Sequence, residues 1–328
     1  MKKVAIAFFA ILLVYFLGPT PSTPVYDESI PEVPTVEFLE EFIAQEEAGL
    51  DIKPGNGAEI FWFDESNKQQ TDVAIVYLHG FTASHEEGAS THEAIARAFG
   101  CNMYLARLHQ HGIKTDEALV NYTADGSWES AKTALEVGRR LGKEVIIMST
   151  STGGTLALKL AATYPDVLAL INYSPNIEIN DPAAFLLNDP WGLQIARIVF
   201  DGNYRILEAD DEYKKYWYAK YRLESIVQLQ ELVETAATEE VFENVTCPVF
   251  NGVYYKDEEN QDEVIRVSAV REMHESLGTS SDQKVLVEFP NADSHVIAYS
   301  GRSGSAEEVQ EATIAFMKEI LGMSEIVN

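Results

Sequence analysis

The stretch EVIIMSTSTGG, residues 144–154, decides the fold that we expect for this chain. Its first five residues are a short apolar run, which is typical of a buried strand in a parallel sheet. Small residues follow, and the segment after them has helical spacing. A strand that turns directly into a helix is where the motif G-x-S-x-G places a nucleophilic serine. Here the motif reads S-x-S-x-G with Ser151 at its centre, and the alternative is a tight connection whose hydroxyl groups cap the helix.

Strands and helices alternate on both sides of this stretch. The predicted strands are 59–63, 73–78, 102–108, 144–148, 168–173, 249–255 and 284–289. Helical spacing occurs between most of them, so we expect an α/β fold with a mainly parallel sheet and helices on both faces. Between about residues 181 and 243 the alternation stops, and the sequence is helix-prone and rich in aromatic residues. This block predicts an inserted helical cap that supplies an apolar wall for a substrate pocket, although ordinary surface helices would give a similar pattern.

The N-terminus differs in kind from the rest of the chain. Lys2 and Lys3 precede an uninterrupted apolar run over residues 4–17, which resembles the start of an export signal. We therefore expect residues 1–17 to be a signal peptide or an uncleaved membrane anchor, and the protein to be exported to the cell envelope or secreted. Residues 18–35 are proline-rich and predict an extended tether, with nothing before Pro24 packed on the domain formed by residues 36–328.

Charge and cysteine content exclude several classes of protein. The 328 residues include 24 basic and 52 acidic side chains, a formal net charge of −28. A surface this acidic repels phosphate backbones, so we do not expect a nucleic-acid partner. Cys101 and Cys247 are far apart and have no metal-ligand spacing. The sequence thus predicts neither a metal site nor a disulfide framework, and nothing in it indicates a protein partner.

Five segments together resemble the α/β-hydrolases, and more narrowly the serine hydrolases related to monoacylglycerol lipases and carboxylesterases. In chain order they are YLHGFTAS at 77–84, ARLHQHG at 106–112, STSTGG at 149–154, QDEVIRVSAV at 261–270 and PNADSHVI at 290–297. The resemblance extends over about residues 59–321. It implies an α/β-hydrolase fold with a cap, in which serine, acid and histidine follow one another along the chain.

The resemblance also implies a role for particular residues. Ser151 would be the nucleophile, and His295 the general base and then the general acid. Of the seven histidines, His295 alone lies in a short polar loop directly after the last predicted strand. The backbone N–H groups of Phe81 and Thr152 would form the oxyanion hole. His79 would brace by hydrogen bonding the oxyanion loop, residues 79–84, which follows the predicted strand 73–78. This mechanism requires no metal or organic cofactor.

Two aspartates compete for the role of the triad acid. Asp257 closely follows the predicted strand 249–255, where an acid loop often begins. Asp262 begins DEVIRVSAV, which matches the family pattern in phase. There, Val264 and Ile265 would anchor the loop in the core. We favour Asp262 on this motif phase.

The resemblance implies a serine hydrolase that cleaves small-molecule carboxylic esters through an acyl-enzyme. Two alternatives stay open: an amidase or peptidase with the same triad, and a catalytically inactive binding protein of the same fold. We expect aromatic residues of the cap to border the acyl pocket. They are Phe185, Trp191, Trp217, Tyr218 and Tyr221.

Overall fold

A seven-stranded sheet forms the centre of the computed structural model, which describes residues 14–326. The strands are β1 (Glu59–Phe61), β2 (Thr71–Leu78), β3 (Asn102–Leu105), β4 (Gly142–Thr150), β5 (Val167–Tyr173), β6 (Tyr204–Ile206), β7 (Lys220–Arg222), β8 (Val249–Val253) and β9 (Lys284–Glu288). The order in the sheet is β1-β3-β2-β4-β5-β8-β9, with β6 and β7 paired separately. Only β1 runs antiparallel to its neighbour in the large sheet. The mainly parallel α/β sheet expected from the sequence is confirmed.

Helices cover both faces of this sheet. They are α1 (Leu39–Glu46), α2 (Thr91–Phe99), α3 (Ala124–Leu141), α4 (Thr152–Thr163), α5 (Gly192–Val199), α6 (Asp211–Tyr216), α7 (Leu223–Ala236), α8 (Glu239–Asn244), α9 (Val267–Ser276) and α10 (Ala306–Glu319). Along β4, Val145 and Ile147 pack into one apolar core with α1, α3, α4 and α9, while Ile146 and Met148 pack into another with α2 and α10. Successive side chains of a strand point to opposite faces. Because both faces are buried, the strand is a continuous apolar run, as the sequence indicates.

The segment between β5 and β8 is the cap, and it is not wholly helical. It contains α5 to α8, as expected from its sequence, but also the antiparallel hairpin of β6 and β7. In this hairpin Arg205 lies opposite Tyr221. Each of the two strands has only three residues, which is too short for a period of two to be visible in the sequence.

Residues 18–35 contain no helix or strand, and they do not form a free tether. Four side chains of the domain donate hydrogen bonds to backbone carbonyls of this segment. Trp128 Nε1 donates to Asp27 O at 2.6 Å, and Lys132 Nζ donates to Ser29 O at 2.9 Å. Tyr164 Oη donates to Glu28 O at 2.8 Å, and Arg140 Nε donates to Val33 O at 3.2 Å. The backbone N–H of Trp191 donates to Pro19 O at 3.1 Å. The expectation that nothing before Pro24 packs on the domain is therefore wrong. A segment outside helices and strands needs other partners for its backbone carbonyls, and side chains of the domain supply these donors.

The expected signal or anchor, residues 1–17, lies mostly outside the described residues, so its role stays a prediction. Within residues 14–326, no helix combines the length and the apolar character needed to cross a membrane.

Candidate active site

Ser151 lies at the sharp turn between β4 and α4. Its backbone has φ 55° and ψ −119°, a conformation that residues other than glycine seldom adopt. The turn is held on both sides, because Ser151 N donates to Tyr173 O at 3.0 Å and Asn176 N donates to Ser151 O at 2.9 Å. A Cβ at Gly153 would lie 2.0 Å from Leu78 O, so only glycine fits there. This is the strained strand–helix turn that the motif predicts.

Ser149 explains why this motif begins with serine where glycine is usual. The side chain is buried, and its hydroxyl donates to Asn172 Oδ1 at 2.8 Å. Asn172 Nδ2 donates in turn to Asn251 Oδ1 at 3.0 Å, and Asn251 Nδ2 lies 3.1 Å from His274 Nδ1. The chain of polar groups crosses β4, β5 and β8. Glycine at position 149 would leave the buried Asn172 oxygen without this donor.

Asp262 and His295 form a hydrogen-bonded pair. His295 Nδ1 lies 2.7 Å from Asp262 Oδ2, and the N–H groups of Val264 and Ile265 donate to Asp262 Oδ1 at 2.8 and 3.2 Å. Burial alone would raise the pKa of Asp262, but the charge and hydrogen bond of His295 outweigh it and the pKa lies below its usual value. Burial alone would lower the pKa of His295, but Asp262 outweighs this effect and raises it. The pair thus favours a carboxylate next to an imidazolium.

Asp257, the competing acid, is exposed and has another role. Its Oδ1 accepts hydrogen bonds from the N–H groups of Glu259 and Asn260 and from Asn260 Nδ2, at 3.0, 2.9 and 2.7 Å, which closes a turn. The structure therefore brings Asp262, and not Asp257, to His295. Only one of the two predicted anchors is buried, since Ile265 lies in the core whereas Val264 is 48% exposed.

Ser151 and His295 line the same cavity, which has a volume of about 710 Å³ and lies between the sheet and the cap. His295 Nε2 is buried and has no hydrogen-bond partner among residues 14–326. The free nitrogen is the one that a general base would use.

The two proposed oxyanion donors, Phe81 and Thr152, also line this cavity. In the part of the chain that the structure describes, neither backbone N–H donates to another protein group. Thr152 is the first residue of α4, so its N–H has no acceptor within the helix and lies at the positive end of the helix dipole. These two donors can stabilise a developing negative charge.

Buried histidines hold the loop of residues 79–84, the proposed oxyanion loop. His79 Nδ1 hydrogen-bonds to Gly80 O at 2.9 Å, and Leu108 N donates to His79 Nε2 at 3.0 Å. Thr82 N donates to His111 Nε2 at 3.1 Å. Burial lowers the pKa of His79 well below its usual value and that of His111 to about 3, so both rings are neutral. A neutral ring can donate from one nitrogen and accept at the other, which is what these contacts require.

Glu87 is a buried carboxyl group in the cavity that the sequence did not reveal. One of its oxygens accepts a hydrogen bond from Gly80 N, in the oxyanion loop. Burial raises the pKa of Glu87 to about 8, although Gly80, His295 and Trp217 each favour the charged form. In the sequence, Glu87 lies in the short polar run HEEG, which resembles an exposed turn.

Of the five cap aromatics predicted to border the pocket, Trp217 and Tyr221 line the cavity and three do not. Phe185 is 56% exposed on the surface. Trp191 binds the N-terminal segment, with its indole Nε1–H donating to Val14 O at 3.0 Å. Tyr218 points away, and its hydroxyl donates to Ile113 O at 2.6 Å. Aliphatic residues that the sequence argument missed form much of the wall: Ile179, Leu187, Ile195, Val199, Leu207 and Leu229.

Within the described residues, no cluster of three or more His, Cys, Asp or Glu side chains is arranged to hold a metal ion.

Comparison with known proteins gives a consistent result. The chain is 25% identical over 209 residues to a thermostable monoacylglycerol lipase from Bacillus sp. (strain H-257), covering 62% of this chain and 76% of the relative. A structure from the study of the metagenome-derived lipolytic enzymes LipS and LipT has a TM-score of 0.65 at 18% identity, covering 82% of this chain and 99% of the other.

Est1E from Butyrivibrio proteoclasticus, with bound ferulic acid, has a TM-score of 0.56 at 20% identity, covering 84% and 100%. The chain matches no protein-family model. These similarities confirm the fold expected from the sequence.

Proposed function

We propose that this protein of the α/β-hydrolase fold cleaves carboxylic esters through an acyl-enzyme formed on Ser151. One observation carries the proposal. A serine at a strained strand–helix turn shares a cavity with a histidine whose far nitrogen is hydrogen-bonded to a buried aspartate. This is the arrangement of nucleophile, base and orienting acid that acyl transfer requires.

The reaction follows from the positions of these groups. His295 Nε2 takes the proton of the Ser151 hydroxyl as the oxygen attacks the ester carbonyl, and Asp262 stabilises the imidazolium that forms. The N–H groups of Phe81 and Thr152 bind the oxyanion of the tetrahedral intermediate. The alcohol leaves with the proton from His295. Water, deprotonated by His295, then attacks the acyl-enzyme, and His295 returns the proton to the Ser151 oxygen as the acid is released.

The relatives support an ester as the substrate. The Bacillus relative is named as a monoacylglycerol lipase, and the structural neighbours include lipolytic enzymes and esterases. The mostly apolar wall of the cavity, both aliphatic and aromatic, fits the acyl part of a small-molecule ester.

A fluorophosphonate probe tests the nucleophile. We expect the native protein to be labelled at Ser151, with Ser151→Ala abolishing labelling and the matched variant Ser149→Ala retaining it. Absence of labelling in the folded wild-type protein would favour a binding protein. Labelling in Ser151→Ala but not in Ser149→Ala would mean that the elbow is misplaced.

A substrate panel separates esters from amides. We expect p-nitrophenyl butyrate to be hydrolysed with a far higher kcat/KM than aminoacyl anilides. The opposite preference would make the protein an amidase or peptidase with the same triad.

A further inference from the structure

Arg205 differs from the other arginines of this acidic chain. Eight of the ten arginines form ion pairs with carboxylates: Arg97, Arg107, Arg139, Arg197, Arg222, Arg266, Arg271 and Arg302. Arg140 donates to the carbonyl of Val33. Among residues 14–326, Arg205 has neither kind of partner, although acidic residues outnumber basic ones 52 to 24. A cation left without a carboxylate in such a chain needs an explanation.

The position of Arg205 supplies one. Its side chain is half-buried and lines the cavity that contains Ser151. The guanidinium lies 4.8 Å from the centre of the Phe200 ring, which holds it by a cation–π contact. It also interacts with the Tyr221 hydroxyl, and no carboxylate among residues 14–326 neutralises its charge. Tyr221, its partner across the β6–β7 hairpin, packs edge-on against Phe81 at 5.5 Å between ring centres. The side chains of Arg205, Tyr221 and Phe81 thus form a row of neighbours that leads from the cap to the oxyanion loop.

We propose that Arg205 binds a carboxylate carried by the substrate, so that the preferred esters are anionic ones with the carboxylate remote from the scissile carbonyl. The inference rests on the proposed ester hydrolysis at Ser151 and deepens it. A guanidinium presents paired donors that match a carboxylate, and a hydrogen bond between charged groups is stronger than a neutral one. The acidic surface repels anionic molecules in general, and Arg205 offers a local countercharge inside the cavity.

Matched esters test the proposal, with the carboxylate on either side of the scissile bond. On the acyl side, mono-4-nitrophenyl glutarate is compared with 4-nitrophenyl valerate. On the alcohol side, 4-(butyryloxy)benzoate is compared with phenyl butyrate. We expect Arg205→Gln to lower the ratio of kcat/KM for the anionic to the neutral ester by about tenfold or more in one of the two pairs. The loss should lie mainly in KM, and Arg205→Lys should retain part of the preference because it keeps the charge.

Arg302→Gln is the matched control, because Arg302 lines the same cavity but is held by both carboxylate oxygens of Asp210 at 3.0 Å. In Arg302→Gln, the ratio of kcat/KM for the anionic to the neutral ester should change much less than in Arg205→Gln. An equal change in both variants, or no change in either pair of esters for Arg205→Gln, would overturn the proposal.

A binding measurement separates this proposal from ester hydrolysis itself. In the Ser151→Ala protein, calorimetry should show tighter binding of monomethyl glutarate than of methyl valerate, and Arg205→Gln should remove the difference. If wild-type protein hydrolyses no ester, the proposed function fails, yet this difference in binding still decides the role of Arg205. Equal affinities in the presence of Arg205 would overturn it.

Discussion

The buried carboxyl group of Glu87 should limit the proposed reaction at alkaline pH, and Glu87→Gln should remove that limit. At neutral pH the group is mostly protonated, because burial raises its pKa to about 8. Charged Glu87 interacts with three titratable groups on the elements around it: Tyr77 of β2, Tyr213 of α6 and His295. When ionised, it raises the pKa of His295, as Asp262 does, but it also sets a negative charge beside the oxyanion loop, so it opposes oxyanion formation.

The size of the effect follows from this pKa. A single group with a pKa of about 8 is ionised to about one tenth at pH 7 and to about nine tenths at pH 9. If only the protonated form is active, kcat/KM at pH 9 falls to about one tenth of its value at pH 7. The acid limb has another origin, since His295 must lose its proton to act as a base and its pKa is raised. The wild-type profile should therefore be bell-shaped, with apparent pKa values that belong to the coupled groups.

Glutamine tests this because it resembles the protonated glutamate in shape and in charge. It can still accept the hydrogen bond from Gly80 N. Initial rates on tributyrin in a pH-stat, from pH 5 to 9.5, should show a rising limb and then a plateau for Glu87→Gln. Glu86→Gln is the matched control: Glu86 is the neighbouring glutamate and does not line the cavity, so its variant should keep the alkaline fall.

Two results would refute the reasoning about Glu87. One is an alkaline limb of the same position and depth in wild type and in Glu87→Gln. The other is a loss of activity in Glu87→Gln that is equal at every pH, which would mean that the carboxyl group only supports the loop.

Three further predictions concern the triad, the cap and the N-terminal segment. Asp262→Asn should lower kcat by about 10⁴, with Asp257→Asn near wild type in steady-state kinetics; similar losses in both would contradict the assignment of the acid. Trp217→Ala should change the relative kcat/KM across C2 to C12 esters, whereas Phe185→Ala, at an exposed position, should not. A chain-length profile of Trp217→Ala that is identical to that of wild type would exclude Trp217 from the acyl pocket. Deleting residues 1–33 should lower the melting temperature in calorimetry by several degrees, because buried donors of α3 lose their carbonyl partners; an unchanged value would show that the segment adds no stability.

The sheet and the turn at Ser151 could be predicted because their signals are local. The apolar run before Ser151 follows from burial of the strand on both faces. Gly153 follows from its close approach to Leu78 O, which leaves no room for a Cβ. The position of the candidate acid also depends on nearby residues, because the carboxylate of Asp262 accepts hydrogen bonds from the N–H groups two and three residues after it.

The features that could not be predicted depend on residues distant in sequence. Glu87 interacts with Trp217, 130 positions later, and nothing in its own sequence neighbourhood distinguishes it from an exposed glutamate. The aromatic pattern of the cap did not show which rings face inward, since Trp191 contacts the N-terminal segment instead of the cavity. Composition alone likewise gave no sign that the proline-rich segment is bound along its length.

The backbone of Ser151 has a consequence for how this protein can evolve. A φ of 55° is a conformation that glycine adopts freely and that costs other residues of the order of 1–3 kcal/mol. Selection for heat resistance alone would therefore favour Ser151→Gly, which relieves the strain and removes the proposed nucleophile in one step. A laboratory lineage selected first for thermal survival and then for ester turnover should regain serine at this position at the expense of melting temperature. Under the proposed function, stability and activity are thus in direct conflict at a single codon.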